Sequence, residues 1–216
     1  MMRLMTRSVV MLLLLSLAAV VAVAQEWELG VSGGLGYSRN ATVTNASGSG
    51  KAGFKYGLTA GAVAGNDLYE RLSGEMHYLY RVSDLKVTGG GQEATFSGEA
   101  HLVHYDLLYH TADRNARIRP FVAGGGGIKV YRGTGGEHAF QPASSFALLT
   151  RTQELKPLVS AGGGVKVALS ESLQLRVEIR DYITPFPKEV VAPAPGARIK
   201  GWLHDFVPTA GISVKF

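Results

Sequence analysis

Cysteine is absent from the 216 residues of this chain. A fold held together by disulfide bonds is therefore excluded, and an exported chain of this kind must be stabilised by other means. Long hydrophobic runs are also absent after residue 24, so the rest of the sequence predicts no helix that could cross a membrane. A closed β-barrel would suit such a chain, because each of its strands is paired on both sides.

The charge of the chain shows no large excess of one sign. Lysine and arginine number 22 against 17 aspartate and glutamate residues, and removal of Arg3 and Arg7 with an N-terminal leader would leave 20 against 17. No base-reading motif accompanies this mild basic excess. Nucleic acid is therefore not an expected partner.

Residues 1–24 have the three parts of a secretory signal peptide. Arg3 and Arg7 supply the positive region, residues 9–23 are almost wholly apolar, and residues 22–24 form a small-x-small cleavage site. A membrane-anchoring helix is the alternative, but the apolar run is short and no stop-transfer flank follows it. We therefore predict a cleaved signal peptide over 1–24 and a single β-barrel domain over 25–216.

Eight segments alternate apolar residues with small or polar ones, which is the period of β-strands. The predicted strands span residues 26–37, 53–64, 69–81, 94–110, 117–131, 155–168, 172–183 and 205–216. The connections alternate between short turns, at 66–67, 111–116 and 170–171, and long polar segments, at 38–52, 82–93, 132–154 and 184–204. This arrangement is typical of an all-β, eight-stranded antiparallel up-and-down barrel of the bacterial outer membrane, with both termini in the periplasm.

Each predicted strand has one apolar face and one face of glycine, polar residues and charges. In the last strand Ile212, Val214 and Phe216 share a face, whereas Ser213 and Lys215 lie on the other. A lipid-facing wall and a polar lumen explain this pattern, because a Lys or Arg facing lipid at the membrane midplane would cost about 2–4 kcal/mol. A soluble lipocalin-like ligand carrier, which places its apolar faces inward, is the alternative.

The interior of an eight-stranded barrel is just wide enough for side chains to fill it. We expect the inward-facing charges to pair, since a buried charge without a partner is destabilising. The residues predicted to form lumen ion pairs are Glu28, Arg71, Glu75, His104, Asp106, Lys129, Lys166, Arg176, Glu178 and Arg180, with Lys55, His77, Asp205 and Lys215 as further inward-facing candidates. Two similar glycine runs, at 124–127 and 162–164, would leave room for long side chains.

The chain resembles the small eight-stranded outer-membrane barrels of the OmpA/OmpX type, which are grouped with the opacity-type proteins. The resemblance covers residues 25–216 and rests on the leader, the strand count, residues 119–122 with the glycines that follow, and the closing residues 212–216. It implies that Phe216, together with Val214 and Ile212, belongs to the signal that the barrel-assembly machinery reads. We expect a monomer.

Three kinds of function remain open. The first is a structural or surface-interaction role carried by four extracellular loops around a lumen plugged by ion pairs. The second is a narrow or gated porin-like channel, which the excess of Lys and Arg would make selective for anions, although wide channels belong to larger barrels. The third is an enzyme that modifies lipid A.

An enzyme is the least favoured of the three. None of the six histidines is followed by serine in the His-x-Ser spelling that one class of lipid A-modifying barrels uses. His104 and Asp106 share a face and could form an acid/base pair, but no nucleophile accompanies them. His101 and His104 do not share a face, so a metal site is poorly supported. We expect no enzyme and no cofactor.

The loop over residues 184–204 contains four prolines and is expected to be extended. Its Lys188, Arg198 and Lys200 would form a basic rim, which could bind lipopolysaccharide phosphates electrostatically. Further basic residues lie in or beside the other loops, at Arg39, Lys51, Arg81, Lys86, Arg132 and Arg151. A solvated loop surface with no ligand is the alternative.

Overall fold

The computed structural model describes residues 26–46, 48–136 and 140–216. The predicted signal peptide lies outside the described residues. The strands are β1 (Trp27–Arg39), β2 (Ala41–Asn45), β3 (Gly48–Phe54), β4 (Gly57–Tyr69), β5 (Leu72–Val82), β6 (Leu85–Gly89), β7 (Gln92–Phe96), β8 (Gly98–His110), β9 (Ile118–Gly133), β10 (Ala147–Leu149), β11 (Gln153–Ala168), β12 (Leu173–Pro185), β13 (Val191–Pro193), β14 (Arg198–Ile199) and β15 (Trp202–Lys215). Among these residues there is no helix long and apolar enough to cross a membrane.

Eight strands form a closed antiparallel barrel in the order β1-β15-β12-β11-β9-β8-β5-β4. The barrel closes between β1 and β15, where Glu28 lies opposite Lys215. Beyond that pair, the backbone N–H groups of Trp27 and Phe216 donate to each other's carbonyl oxygens at 2.9 and 3.0 Å. Every barrel strand therefore has a partner on both sides, and the predicted eight-stranded up-and-down barrel is confirmed.

The two faces of the barrel wall differ as the alternation predicts. Ile212 is 51% exposed on the outside, whereas its neighbour Ser213 is 2% exposed inside. The same alternation holds for Leu29 and Glu28 on β1. The apolar faces point outward and the charged faces point inward, which is the reverse of the lipocalin arrangement.

Some predicted boundaries are wrong. The expected turn at 66–67 lies within β4, which continues past a register shift to Tyr69, and the chain turns at Glu70 and Arg71 instead. The predicted strands 53–64 and 94–110 each join two strands, since residues 53–54 belong to β3 and 94–96 to β7, outside the barrel. A sharp change of direction between two extended segments leaves no mark in the alternation.

The long connections fold into two small sheets at one end of the barrel. One has the order β14-β2-β3-β6-β7, and the other pairs β10 with β13. We call this region the loop domain and its end of the barrel the loop end; the opposite end, with the short turns and both described termini, is the turn end. Val43, Leu85 and Val87 are fully buried beneath the larger sheet, and the ring of Phe54 stacks on that of Tyr131 at 5.1 Å between centroids. The core of the loop domain thus continues into the barrel mouth.

Candidate functional site

The barrel interior contains a cluster of buried charged side chains, which we call the interior cluster. Its carboxylates are Glu28, Asp67, Glu75, Asp106, Glu178 and Asp205, and its cations are Arg81, Arg119, Lys129, Lys166, Arg176 and Arg180. Six negative groups thus face six positive ones, and each is at most 8% exposed. Such a cluster is stable only when its members pair closely, because each charge has lost its hydration.

Glu75 on β5 lies at the centre of the cluster. Arg176 on β12 donates from Nη1 to Oε1 at 2.7 Å and from Nη2 to Oε2 at 2.6 Å, which is a bidentate pair. Lys166 on β11 donates to Oε1 of Glu75 at 2.7 Å and to Glu28 on β1 at 2.5 Å. Four strands from different sides of the barrel therefore meet at one carboxylate and its partners.

A second group lies beside it, around Arg180 on β12. Its Nε donates to Glu178 at 3.0 Å, and its Nη1 donates to Asp106 on β8. Ser160 on β11 donates to the same Asp106 oxygen at 3.2 Å. Arg176 also donates to Glu178 at 2.9 Å, so the two groups form one continuous network.

Two histidines stack in this network. The rings of His77 and His104 are 4.8 Å apart between centroids and nearly parallel. Nε2 of His77 lies 3.0 Å from Glu75. Nδ1 of His104 lies 3.2 Å from Asp106 but lacks the alignment of a hydrogen bond. The predicted His104–Asp106 pair is therefore close, but Asp106 is held by Arg180 and both side chains are shielded from solvent.

Nearer the loop end, Asp205 on β15 accepts from Lys129 on β9 and from Ser38 on β1. Arg81 on β5 lies 3.0 Å from the same carboxylate and donates to the carbonyl oxygen of Gly36 at 3.0 Å. The ammonium of Lys129 lies 4.5 Å from the centre of the Tyr131 ring, a cation–π contact. These pairs lie directly beneath the apolar core that the loop domain shares with the barrel.

At the turn end, Asp67 on β4 lies 3.2 Å from Arg119 on β9 and 3.4 Å from Arg114 in the preceding loop. Ser73 donates to Asp67 at 2.5 Å and lies 2.9 Å from Nε2 of His110. The chain thus places charged layers at the middle and near both ends of the interior.

The structure brings nine of the ten predicted lumen ion-pair residues into the interior. Arg71 is the exception: it lies in the turn between β4 and β5, where it is exposed and donates to Asp113 at 2.7 Å. The prediction that Arg71 lies in the lumen is wrong, because Arg71 precedes β5 and the alternation of that strand does not extend to it. Of the further candidates, His77 and Asp205 are buried, whereas Lys55 and Lys215 lie half-buried at opposite ends.

Three interior charges escaped the sequence prediction. Asp67 was assigned to a turn, Arg81 to the loops, and Arg119 only to a family motif. All three are buried. The alternation of the strands could have identified two of them. Arg81 stands two residues from inward-facing Leu79, and Arg119 stands two residues from inward-facing Phe121.

The exposed face of the larger loop-domain sheet is basic and rich in hydroxyl groups. Its side chains come from alternate positions of neighbouring strands: Arg198, Thr42, Thr44, Ser49, Lys51, Lys86, Thr88, Glu93 and Thr95. We call it the basic sheet face. Lys86 pairs with Glu93 at 2.9 Å and, by hydrogen bonding, lowers the pKa of that carboxyl. Lys51 and Arg198 have no ion-pair partner among the described residues, so the face is net positive.

The predicted basic rim divides between two places. Arg198 is the first residue of β14 and lies opposite Thr44. Lys200 is exposed and follows that strand directly. Lys188 is also exposed, but it precedes β13 and lies outside the larger sheet. Two of the three rim residues are thus on or beside the basic sheet face, where Lys51 adds a further positive charge.

Within the described ranges, no three His, Cys, Asp or Glu side chains are grouped so that they could hold a metal ion. The interior carboxylates are instead bound by arginine and lysine side chains from across the barrel. These ion pairs join strands that lie on different sides of the barrel.

Comparison with known proteins agrees with this architecture. The family model of the outer membrane protein beta-barrel domain matches residues 10–190. OprG from Pseudomonas aeruginosa superposes with a TM-score of 0.52 and 12% identity over 88% of this chain and 95% of that chain. Neisserial surface protein A gives a TM-score of 0.51 and 12% identity, over 88% and 97%.

At these identities the solved structures show a shared fold. No curated protein sequence matches the chain. The family model spans well over half of the chain, and the closed barrel, its apolar exterior and its charged interior are all present. The chain therefore belongs to the outer membrane protein β-barrel family, whose place is the bacterial outer membrane.

Proposed function

We propose that this protein is a closed outer-membrane barrel that acts through its loop domain, by binding anionic lipopolysaccharide at the cell surface. The loop end faces outward, and both termini of the mature chain face the periplasm. The protein has no enzymatic activity and no cofactor. The observation that carries the proposal is the basic sheet face, an ordered surface with free cations and hydroxyl groups on a barrel whose interior is filled.

Closure of the interior follows from the pairing of its charges. Cross-lumen bonds such as Arg176–Glu75 occupy the space through which ions would pass. Above them, Leu102, Leu158 and Leu203 are almost completely buried in the apolar core below the loop domain. An ion would have to enter this apolar layer without its hydration, which is strongly unfavourable. A channel role is therefore less well supported than a surface role.

The basic sheet face fits a phosphorylated saccharide better than an apolar partner. Lys51 lies opposite Thr42, and Arg198 lies opposite Thr44, so cations and hydroxyl groups alternate across the strands. Arginine and lysine attract phosphate, and threonine and serine hydroxyls can donate to or accept from sugar hydroxyls. Lipopolysaccharide offers both groups directly beside the barrel.

The test is lipopolysaccharide binding by the refolded mature chain in detergent. The double variant Arg198→Gln/Lys200→Gln and the single variant Lys51→Gln should weaken binding and reduce its salt dependence. The matched control is Lys188→Gln/Arg151→Gln, which removes two exposed charges outside the larger sheet. Equal loss in the control pair would indicate general electrostatic attraction, and unchanged affinity in all variants would contradict the proposal.

A further inference from the structure

A polar cavity of about 430 Å³ opens at the turn end of the barrel, remote from the loop domain. Its wall includes Arg114, Arg119, Lys166, Gln174 and Lys215, which come from β9, β11, β12, β15 and the loop before β9. The volume lies within the range of small-molecule sites. The proposed surface role makes no use of this cavity.

Hydrogen-bond donors without partners line the cavity. Gln174 is 3% exposed, and its Nε2 has no partner in the described part of the chain. Arg119 is 2% exposed, and its Nε is likewise without a partner, whereas Nε of Arg114 lies 3.4 Å from a carboxylate oxygen of Asp67. Buried polar groups in folded proteins are almost always hydrogen-bonded, so these donors favour an acceptor within the cavity.

The charges around the cavity point to a negative acceptor. Arg114 and Arg119 share the single carboxylate of Asp67. Lys215 has no carboxylate within 4.0 Å among the residues that the structure describes. Lys166, by contrast, is paired with both Glu28 and Glu75. Glu26 and Glu171 also line the cavity, but both are exposed at its rim. The four cationic side chains of the cavity wall therefore outnumber its two side-chain carboxylates.

We propose that the turn-end cavity binds a phosphate group. Its donors come from different strands and the loop before β9, and a tetrahedral phosphate can present an oxygen atom to each of several donors. A carboxylate presents only two oxygens in one plane. Two guanidinium groups, an ammonium and an amide are the donors that phosphate sites use. The phosphate belongs either to a small solute or to a phospholipid headgroup at the adjoining membrane surface.

The experiment is calorimetric titration of the refolded mature chain in a sugar-headgroup detergent, which contains no phosphate. Inorganic phosphate, glycerol 3-phosphate and micelles doped with phosphatidic acid are the three probes. Gln174→Leu and Lys215→Gln should each weaken binding about tenfold or more, as expected for the loss of one charge-assisted hydrogen bond. Arg71→Gln is the matched control, because Arg71 lies at the same end but not in the cavity wall.

Both variants must first show the heat-dependent gel mobility of a folded barrel, and neither removes a group that is ion-paired in the structure. Saturable binding of the soluble phosphates would support the site and identify a solute. Binding of the doped micelles alone would support the site and identify a lipid headgroup. No saturable binding of any probe, or wild-type affinity in both variants, would overturn the proposal.

Discussion

Arg176 and Glu75 form a bidentate ion pair across the full width of the barrel. The two bonds measure 2.7 and 2.6 Å. Arg176 lies on β12 and Glu75 on β5, four places apart in a closed ring of eight strands, so the pair joins opposite walls. Direct contact across the diameter requires a barrel this narrow. The same geometry lets the interior pairs join opposite walls of the barrel.

Replacement of Glu75 by Gln should destabilise the barrel by about 3–5 kcal/mol, because Arg176 and Lys166 would lose a buried carboxylate partner. Urea unfolding of the refolded protein, followed by tryptophan fluorescence, measures the change. Glu93→Gln is the control, since Glu93 is an exposed carboxylate paired with one lysine. An unfolding free energy that is the same for both variants would show that the central pair does not stabilise the fold.

Alanine should be tolerated at outward-facing glycines of β9 but not at inward-facing ones. A Cβ atom at Gly125 would lie 2.3 Å from Oδ1 of Asp106, whereas at Gly124 its nearest neighbour would be 3.8 Å away. We expect Gly125→Ala to cost about 1–3 kcal/mol, as overpacking does in other cores. Gly124→Ala should have little effect. The same unfolding assay compares the two, and equal stability would show that the interior glycines are not needed for space.

Phe146→Ala should loosen the loop domain without unfolding the barrel. Phe146 is 5% exposed. Its ring packs so closely against Gly89 that a Cβ atom added to that glycine would lie 2.4 Å from the ring. Loss of a buried phenylalanine side chain costs about 3–5 kcal/mol. Limited proteolysis should cut the loops faster while the heat-dependent gel shift persists. Phe140→Ala changes a residue that is 75% exposed, and it should leave both the proteolysis rate and the gel shift unchanged. Faster proteolysis of this control would indicate that the assay does not report the core.

Deletion of Phe216 should reduce assembly into the outer membrane. Phe216 is 68% exposed, and its contribution to packing is small, although its backbone pairs with Trp27. Phe216→Trp, which keeps an aromatic end, is the control for recognition. Fractionated cells should show less of the deletion variant in the outer membrane, while refolding in detergent remains efficient. Normal insertion of the deletion variant would contradict the assembly role of the terminal aromatic residue.

The barrel could be predicted from the sequence because an amphipathic wall imposes period two on every strand. The glycines and charges of β9, β11 and β12 alternate with outward-facing apolar residues such as Val122 and Ile179. The strands and their two faces follow from that pattern, and the charges on one face favour that face as the inward one. Arg71 was misplaced because alternation carries no information beyond a turn.

The loop domain could not be recognised from composition, because its segments are rich in glycine, serine and threonine. Its strands nevertheless alternate: Ala41 and Val43 face inward on β2, as do Leu85 and Val87 on β6. These runs are only five residues long, so they are hard to separate from chance. The turn-end cavity had no signal in the sequence, since it depends on which ends of distant strands meet.

The most direct test of the closed barrel is single-channel recording of refolded residues 25–216 in planar lipid bilayers. We predict no conductance steps above the bilayer background, because the interior cluster and the apolar core lie in the path of an ion. Regular, salt-dependent steps with a reproducible ion preference would contradict it and would establish a channel in place of a closed, surface-binding barrel.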